Sequence, residues 1–579
     1  MARPRPHDMS EKELGFRPQE AVRWLNPRVL ITTGAQSLIA EIFGSYADKR
    51  ELQGGLAAQV YDHSREDELW MDFVADLGDG FDATYSIASL LAAPELDLDG
   101  PKPRGSLLIM GGDEVYPAAS TGAYEDRTKG VYRAALPVVT EDAPTLFALP
   151  GNHDWYDGLT SFLRVFAQRR PFGGWQTEQT RSYFAVRLPQ NWWLYAIDTQ
   201  FDDYVDAPQL EYFRGASAEL RRGDSVILCT STPAWVDAGS GGDTKGYDTI
   251  EFFQREVIRP RGANVRVMLT GDKHHYARYA EQDGTGQKIT SGLGGAYLAA
   301  THELPKRLDL PGEKSRVREP SPPSSLDLAA RYPEHTGRLT AGILKLPWRN
   351  PGFWAVTGIA QLVATAAVLY GIAESAVRDG VFGLLASWSP AVLAAAVLVL
   401  AGIAFARIDL PETSGKGILA GIAHAVAHLA LSVAWAVAIR ALYHAFPDGV
   451  VADWLIFLIA AVGTPVVIGF VDAEVVALYL LVASRFGINL NEVMAGQSIE
   501  DHKGFLRMHI GRDGTLTIYP VKLARVCRKW VANPDGAPTD PWLLPKHPLR
   551  AELIEQPIKV PHHHTGFPSV PPDREGPTP

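Results

Sequence analysis

Apolar runs in the first half of the chain lead into polar side chains whose types could do chemistry together. LWMDFVA leads into Asp76, SLLIMG into Asp113, TLFALP into Asn152, and VRVMLT into Asp272 and His274. Continuous apolar runs of this length are typical of buried strands, and ligand groups gather beyond the carboxyl ends of strands in open α/β sheets. We therefore expect these five side chains to meet in space, although they lie far apart along the chain.

The five side chains form a chemically coherent set. Carboxylates, one amide and one imidazole are ligands that suit Mn, Fe or Zn rather than a soft thiolate site. The chain holds two cysteines, Cys229 and Cys527, which excludes a disulfide framework. The pattern therefore predicts a metal centre at the strand ends.

Four short motifs in a fixed order carry a resemblance to a known family. They are Asp76-x-Gly78, Gly112-Asp113-x-x-Tyr116, Gly151-Asn152-His153-Asp154 and Gly271-x-x-His274. Over about residues 68–300 their order and strand contexts resemble the calcineurin-like metallophosphoesterase superfamily, and Gly78 and Tyr116 resemble its purple acid phosphatase branch. The whole chain looks like the membrane-attached members. The resemblance implies an α/β fold, a four-layer αββα two-sheet sandwich, followed by an all-α transmembrane domain.

The resemblance also implies a centre of two divalent or mixed-valence metal ions, with Mn, Fe or Zn as candidates. Asp113 would bridge both ions, Asp76, Tyr116 and His274 would complete the first site, and Asn152 and Asp272 would form the second. Tyr116 is either a phenolate ligand of Fe(III) or a neutral hydrogen-bonding neighbour of Mn²⁺, because deprotonating a phenol at pH 7 costs roughly 4 kcal/mol.

Two positions depart from the family pattern. The chain has Asp272 where the family has the first His of a Gly-His-x-His motif, and Ser231 where the family has a His two residues before a proline. Asp272 still supplies a ligand, whereas the neutral Ser231 hydroxyl is a poor substitute for an imidazole. Occupancy of the second metal site therefore stays open, with His275 or a water as candidates to fill the gap.

The reaction that the resemblance implies is attack of a metal-activated hydroxide on the phosphorus of a phosphate ester. His153 is placed to hold the phosphate or to protonate the leaving oxygen, because neighbours on a tight turn point apart and Asn152 is the ligand. Asp154 is expected to orient the His153 imidazole. The backbone of Gly292–Gly295 either approaches the site closely or forms a plain tight turn.

Residues 351–486 have a different character, with four apolar stretches long enough to cross a hydrocarbon core and a fifth that is too short. They are Gly352–Val377, Val381–Ala406, Gly417–Ala441, Val450–Val471 and the short Val475–Ala483. Pro465 is expected to kink the fourth stretch, so that the fifth either continues it or re-enters the membrane. A buried bundle in a soluble protein is the disfavoured alternative, because four such runs are hard to bury in water.

Basic residues flank the apolar stretches unevenly. Arg338, Lys345 and Arg349 precede the first stretch, and Arg407 and Lys416 lie between the second and the third. The positive-inside rule therefore predicts a multi-pass membrane protein with its catalytic domain in the cytoplasm and the lipid bilayer as a partner. A formal net charge of −11 argues against a nucleic acid as partner.

Five ionisable residues within or near the apolar stretches bear on the function of this region: His424, His428, Asp453, Asp472 and Glu474. His424 and His428 share one helix face at a spacing of four residues, for which polar packing is favoured over metal or haem binding. Asp453, Asp472 and Glu474 lie near the ends of the stretches and are expected to face water or Arg485, because a charge is costly to bury in a bilayer.

The chain divides into segments of different composition. They are an N-terminal helical segment (1–65), the metallophosphoesterase domain (66–310), a linker (311–350), the transmembrane helical domain (351–486), a C-terminal β-hairpin segment (487–530) and a Pro-rich tail (531–579). Glu20–Phe43 has an amphipathic helical pattern that would lie on the membrane or on the catalytic domain. The hairpin around Asp513-Gly514 is expected to pack on the catalytic region or close to the membrane, and the tail is expected to be loose.

The sequence therefore predicts a membrane-anchored, metal-dependent phosphoric ester hydrolase. Its location hints at lipid-linked substrates, while nucleotides and phosphoproteins stay open. The departure at Ser231 motivates an alternative, a non-catalytic membrane sensor or scaffold with a degenerate metallophosphoesterase domain. A channel or transporter regulated by the soluble part is a further alternative. The sequence fixes neither the substrate nor the oligomeric state.

Overall fold

Two large sheets of mixed strand direction, together with helices, form one part of the protein, and four long apolar helices follow. The computed structural model describes residues 9–44, 48–199, 204–282, 284, 286–317, 324–377, 380–408, 415–446 and 449–562. The expectation of an α/β region followed by a helical region is confirmed.

The strands and helices are numbered in chain order. The strands are β1 (Val60–Asp62), β2 (Leu69–Val74), β3 (Glu95–Asp97), β4 (Pro101–Pro103), β5 (Leu107–Met110), β6 (Thr145–Ala148), β7 (Pro171–Phe172), β8 (Trp175–Thr177), β9 (Phe184–Arg187), β10 (Trp192–Ala196), β11 (Ser225–Cys229), β12 (Asn264–Thr270), β13 (Tyr276–Glu281), β14 (Gln287–Ser291), β15 (Arg307–Leu310), β16 (Ser324–Tyr332), β17 (Lys503–Ile510), β18 (Leu516–Leu523), β19 (Trp530–Ala532), β20 (Leu543–Pro545), β21 (Ala551–Leu553) and β22 (Ile558–Val560). The helices are α1 (Glu11–Leu14), α2 (Pro27–Gly44), α3 (Lys49–Gln53), α4 (Phe81–Ala92), α5 (Thr121–Tyr124), α6 (Gly130–Ala135), α7 (Asn152–Trp155), α8 (Thr160–Phe166), α9 (Ala207–Ala216), α10 (Ala234–Gly239), α11 (Lys245–Phe253), α12 (Leu346–Arg349), α13 (Pro351–Ser375), α14 (Gly380–Ala406), α15 (Gly415–Ala445), α16 (Val450–Leu458), α17 (Gly469–Ala483) and α18 (Leu490–Ala495).

The first sheet has the strand order β1-β9-β10-β11-β12-β14-β13-β16-β15, and its strands β10, β11, β12 and β14 run parallel. The second sheet has the order β21-β18-β17-β2-β5-β6-β8-β7, with β22 also paired to β18, and its strands β2, β5 and β6 run parallel. Parallel strands bring their carboxyl ends to one edge, which is where the predicted site residues follow.

The core lies between the sheets and on their outer faces. Phe73 of β2 and Leu194 of β10 belong to one buried cluster, because the two sheets face each other. Alternate side chains of the same strands point the other way, as expected for the two-residue period of a strand. Val74 belongs to the same buried cluster as Ile87 of α4, and Val226 of β11 belongs to a cluster that includes side chains of α9 and α11.

Residues 503–523, which follow the apolar helices, form a hairpin that completes the second sheet. The turn falls at Asp513-Gly514, where Gly514 has a φ of 78°, and the predicted hairpin is confirmed. Strand β17 lies between β18 and β2 and pairs antiparallel with β2. The sheet therefore combines strands from both sides of the apolar helices in the chain.

Arg507 fixes β17 to β2 through a buried ion pair. Its Nε and Nη2 donate to the two carboxylate oxygens of Asp72 at 2.8 and 3.0 Å, and a further nitrogen donates to the carbonyl of Lys102 at 3.0 Å. Both Arg507 and Asp72 are buried. A buried charge is tolerated when it is paired in this bidentate way.

We expect Arg507→Ala to lower the free energy of unfolding by about 3–5 kcal/mol, because it leaves the Asp72 carboxylate buried without its cation. Urea denaturation of the full chain in detergent, followed by tryptophan fluorescence, measures the change. The double variant Asp72→Leu/Arg507→Met removes both charges and should recover most of the loss. Equal destabilisation of the single and the double variant would contradict the assignment.

Two segments are more ordered than the sequence indicated. The expected linker, residues 311–350, contains β16, which lies between β13 and β15 in the first sheet. The tail is not loose up to residue 562, because β21 and β22 pair with the open side of β18, and β19 pairs with β20. Proline is tolerated at such edge positions, which is why a proline-rich composition misled the prediction. Residues 563–579 lie outside the described part of the chain.

Among the described residues, four helical stretches are long and apolar enough to cross a membrane, as predicted: Pro351–Ser375, Gly380–Ala406, Gly415–Ala445 and Asp453–Phe486. The short fifth stretch continues the fourth within α17. The fourth stretch itself contains a π-helical segment, Ile459–Ile468, which includes Pro465. A wider helical turn accommodates a proline, which lacks the N–H that an α-helix uses.

A polar network lies between these helices. His428 Nδ1 bonds to Asp472 Oδ1 at 2.6 Å, and its Nε2 lies 2.9 Å from His424 Nε2. Gln361 donates to the same Asp472 oxygen at 2.8 Å. The expectation that Asp472 faces water or Arg485 is wrong, because its carboxylate is buried among these partners. The contacts agree with polar packing of the histidine pair.

Candidate active site

Three of the predicted site residues have an unusual backbone conformation. Asp76, Asp113 and Asp272 follow β2, β5 and β12, and their φ angles are 62°, 54° and 69°. A positive φ is uncommon for residues with a side chain, and such residues cluster at functional sites. The strand ends therefore turn these three carboxylates toward one place.

The Tyr116 hydroxyl lies at the centre of the group. It is 2.8 Å from Asp76 Oδ1, 3.1 Å from Asp113 Oδ2 and 2.9 Å from His274 Nε2. The backbone N–H of Asp272 donates to Asp76 Oδ1 at 3.2 Å. Residues from three of the four motifs thus lie within hydrogen-bonding distance of one another.

Glycines make this approach possible. A Cβ atom on Gly151 would stand 2.6 Å from Asp113 Cγ and closer still to Oδ1. A Cβ on Gly292 would stand 3.2 Å from Asp76 Cγ and would overlap its Oδ2. The interpretation of Gly292–Gly295 as backbone that approaches the site is therefore confirmed, and the alternative of a plain turn is not needed.

The carboxylates destabilise one another's charged forms. Burial, and then the negative charges of neighbouring carboxylates, raise the pKa of Asp76 well above its usual value and that of Asp113 to about 7. Burial and the same carboxylates raise the pKa of Tyr116, so the phenol keeps its proton in this geometry. Burial lowers the pKa of His274 well below its usual value. A cation bound between these buried carboxylates would offset their mutual repulsion.

The donor set fits a cation, although the geometry is not that of a closed site. Within the described residues, no three His, Cys, Asp or Glu side chains are grouped so as to hold a metal ion. The Tyr116 hydroxyl lies between the carboxylates and His274 and keeps them apart. Asp76 Oδ2 is nevertheless buried, with no hydrogen-bond partner among the described residues. This oxygen is available as a ligand.

The Asn152 amide connects Asp113 with Tyr156. One terminal atom of its amide lies 3.0 Å from Asp113 Oδ2, and the other lies 3.0 Å from the Tyr156 hydroxyl. With the nitrogen toward Asp113, both contacts are hydrogen bonds. The side chain of Asn152 is therefore held directly against the Asp113 carboxylate, as the predicted second metal site would need.

His153 is held by groups other than the one predicted. Its backbone N–H donates to Asp113 Oδ1 at 2.9 Å, and its Nδ1 bonds to the Pro117 carbonyl at 2.7 Å. The Nδ1 therefore carries the hydrogen, and Nε2 is the acceptor of the ring. Burial lowers the pKa of His153 to about 4. The ring is flanked by Tyr116 and Trp24.

The expectation that Asp154 orients His153 is wrong. The Asp154 carboxylate instead accepts hydrogen bonds from the backbone N–H groups of Gly151, at 2.8 Å, and Glu114, and from the Tyr124 hydroxyl. It is fully buried behind the motif. Asp154 therefore holds the loop that carries Asn152 and does not face the imidazole.

The predicted second site is less complete than the first. The Asp272 carboxylate pairs with Lys273 Nζ at 3.0 Å. Ser231 is buried, and its Cβ lies 3.3 Å from the position that a Cβ on Gly112 would take, so it is near the strand ends. His275 Nδ1 is buried without a hydrogen-bond partner among the described residues, and burial lowers its pKa to about 3.

Sequence reasoning missed several residues around the site. The Tyr297 ring packs edge-on against His274, with ring centres 4.4 Å apart. The backbone N–H of Tyr297 donates to the Asp79 carboxylate. Lys503 of β17 is completely buried, and burial lowers its pKa to about 8. Its charge acts on Asp76 and His274. The place of Lys503 beside the site could not be recognised from the sequence, because it lies beyond the apolar helices and reaches the site only through the pairing of β17 with β2.

Comparisons with known proteins add limited information. No family model and no curated protein sequence matches the chain. A structure of GAP50, the anchor in the inner membrane complex of Plasmodium, is similar with 13% identity and a TM-score of 0.32, covering 41% of this chain and 76% of that one. A structure of PhoD is similar with 14% identity and a TM-score of 0.26, covering 40% of this chain and 58% of that one. At these scores neither likeness assigns the chain to a family.

Proposed function

We propose that the protein is a membrane-anchored, metal-dependent phosphoesterase of the calcineurin-like type. The observation that supports this most is the convergence of Asp76, Asp113 and His274 on the Tyr116 hydroxyl, with Asp76 and Asp113 each in a left-handed conformation after a strand end. The motifs occur in the order typical of that superfamily. The buried clusters between the two sheets and on their outer faces support the finer assignment of a four-layer αββα sandwich.

The first metal site would consist of Asp76, Asp113, Tyr116 and His274, and the second would share Asp113 with Asn152 and Asp272. Bound Mn, Fe or Zn ions would make water a nucleophile at neutral pH and neutralise charge on the phosphoryl oxygens. The unpartnered Asp76 Oδ2 and the crowding of buried carboxylates support this assignment. Because the ligand set of the second site is less complete than that of the first, we expect one or two bound metal ions per chain.

The chain's own residues orient the substrate. His153 is fixed through its Nδ1 and its backbone, which leaves Nε2 as the ring atom that can meet a phosphate or leaving-group oxygen. Burial of the surrounding side chains excludes water and strengthens each electrostatic contact. Asp154 contributes by holding the loop of Asn152 in place.

The membrane orientation follows from charge. Because β17 pairs with β2, both segments that flank the apolar helices lie on one side of the membrane. The basic residues Lys345 and Arg349 border that side, so we place the catalytic domain at the cytoplasmic face.

We expect hydrolysis of p-nitrophenyl phosphate or bis(p-nitrophenyl) phosphate by the full chain in detergent to depend on metal. Treatment with a chelator should abolish turnover, and addition of Mn²⁺, Zn²⁺ or Fe²⁺ should restore it, because the carboxylates alone cannot activate water. Metal content per chain is measured by mass spectrometry. One bound ion with no turnover above background would favour the non-catalytic sensor.

We expect His153→Ala to lower kcat by about 10²-fold or more while metal content stays the same. The reason is that the side chain contacts Pro117 and faces the site, while the ligand contacts belong to Asp76, Asp113 and Asn152. Steady-state kinetics and metal analysis on the same preparation check this. Unchanged hydrolysis would refute the role of His153 without affecting the metal assignment.

A further inference from the structure

Helix α2 has its apolar side chains on the outside. All its leucines and isoleucines are exposed: Leu30, Ile31, Leu38, Ile39 and Ile42. The residues that face inward follow each other at intervals of three or four positions and are smaller or polar: Val29, Thr33, Ser37 and Ala40. This is the reverse of the arrangement that water favours for a surface helix.

The inner side of α2 covers the candidate active site. Trp24, three residues before the helix, packs edge-on against Tyr116 and His153 at ring-centre distances of 5.7 and 5.6 Å. Ser37 hydrogen-bonds to Tyr156, which in turn contacts Asn152. Helix α2, which presents apolar side chains outward, thus covers the predicted metal ligands with its inner side.

The start of α2 lies beside the start of the first apolar helix. A Cβ on Gly352 of α13 would stand 3.1 Å from Pro27 Cδ and 3.2 Å from Asn26 Nδ2. Trp348, just before α13, is 72% exposed, which is typical of a tryptophan at the boundary between lipid and water. The apolar surface of α2 is therefore continuous with the level at which the chain enters the membrane.

We propose that α2 lies in the surface of the bilayer as a roof over the active site, and that the substrate is a phosphate ester carried by a lipid. This proposal rests on the proposed phosphoesterase function. The exposed aliphatic side chains of α2 contact acyl chains, which removes them from water. A lipid headgroup reaches the site at the edge of α2 while its acyl chains stay in the membrane. A soluble phosphate ester does not use this surface.

The position of α2 is tested with the full chain in nanodiscs. Ile39→Cys, in a Cys527→Ser background, carries an environment-sensitive dye, and Val139→Cys, an exposed apolar position in the sheet domain, carries the same dye as control. Cys229 is completely buried. Lipids brominated in their acyl chains should quench the dye at residue 39 and leave the dye at residue 139 unaffected. No quenching at residue 39, or a signal that depends on protein concentration as for a second copy, would overturn the proposal.

The substrate class is tested with the variant Ile31→Asp/Ile39→Asp and its matched control Val138→Asp/Val139→Asp. Hydrolysis of dioleoyl phosphatidic acid and dioleoyl phosphatidylglycerol in nanodiscs is compared with hydrolysis of the two aryl phosphates. We expect the α2 variant to lose about tenfold or more on the lipid esters and to stay within about twofold on the aryl esters, because it changes only the membrane contact. The control should keep both activities.

The outcomes separate this inference from the function on which it rests. Equal loss on lipid and aryl esters would mean that α2 only supports the fold of the site, and no loss on either would mean that the bilayer contact is irrelevant; both overturn the proposal. Hydrolysis of neither ester by the wild type, with metal present, would refute the phosphoesterase function itself. The quenching result then still decides whether α2 lies in the membrane.

Discussion

Asp113→Asn should abolish most phosphate-ester hydrolysis, lowering kcat/KM by about 10³-fold or more. Asp113 contacts three other parts of the site: Tyr116, the His153 backbone and the Asn152 amide all lie within 3.1 Å of its oxygens. Asparagine keeps the shape of the side chain and removes one negative charge. The bridging ligand is therefore lost while the surrounding loops stay in place.

The same substitution should not destabilise the metal-free protein. Asp76 and Asp113 are buried carboxylates that repel each other, and removing one charge relieves that repulsion. Activity and metal content should therefore fall while the thermal unfolding midpoint of the chelated protein holds or rises. Steady-state kinetics, metal analysis and thermal denaturation measure the three quantities.

Asp67→Asn is the matched control, because the Asp67 side chain is 81% exposed. It should change none of the three quantities. Retention of metal and activity by Asp113→Asn would rule out the proposed bridging role, whatever the result for the control.

Gly151→Ala should lower hydrolysis by about 10²-fold or more, since a displacement of about 1 Å at a catalytic group has an effect of this size. The backbone of Gly151 is extended, with φ −94° and ψ −175°, so alanine meets no conformational barrier. Its methyl group, however, would overlap the Asp113 carboxylate. The effect is therefore steric and acts directly on the predicted bridging ligand.

Gly122→Ala is the matched control for that substitution, because a Cβ at Gly122 meets no atom within 4 Å. Kinetics and metal content of the two variants are compared at equal folded fraction, judged by circular dichroism. If Gly151→Ala kept full activity and metal content, the close approach of the loop to Asp113 would be of no functional importance.

The residues that follow buried strands were predictable because the carboxyl ends of parallel strands meet at one edge. Asp76, Asp113, Asn152 and His274 needed only the run of apolar residues before each of them. The four long apolar helices of the described chain were predictable from length and composition, apart from the π-helical segment around Pro465 in the fourth of them.

The remaining features depend on contacts between distant parts of the chain. Lys503 and Arg507 lie beside β2 only because β17 enters the sheet from beyond the apolar helices. The role of Asp154 depends on where Gly151 and Tyr124 place their donors, which spacing does not reveal. The inverted polarity of α2 could be recognised only when its inner face was seen against Trp24 and Tyr156.

The position of β17 in the interior of the second sheet has a consequence for biosynthesis. The strand is translated after the four candidate membrane helices, so the nascent protein presents an open β2 edge until then. Completion of the candidate site therefore has to wait until these helices have been made. A chain in which β17 does not pair with β2 lacks the buried Lys503 beside the site, and its open sheet edge is prone to aggregation.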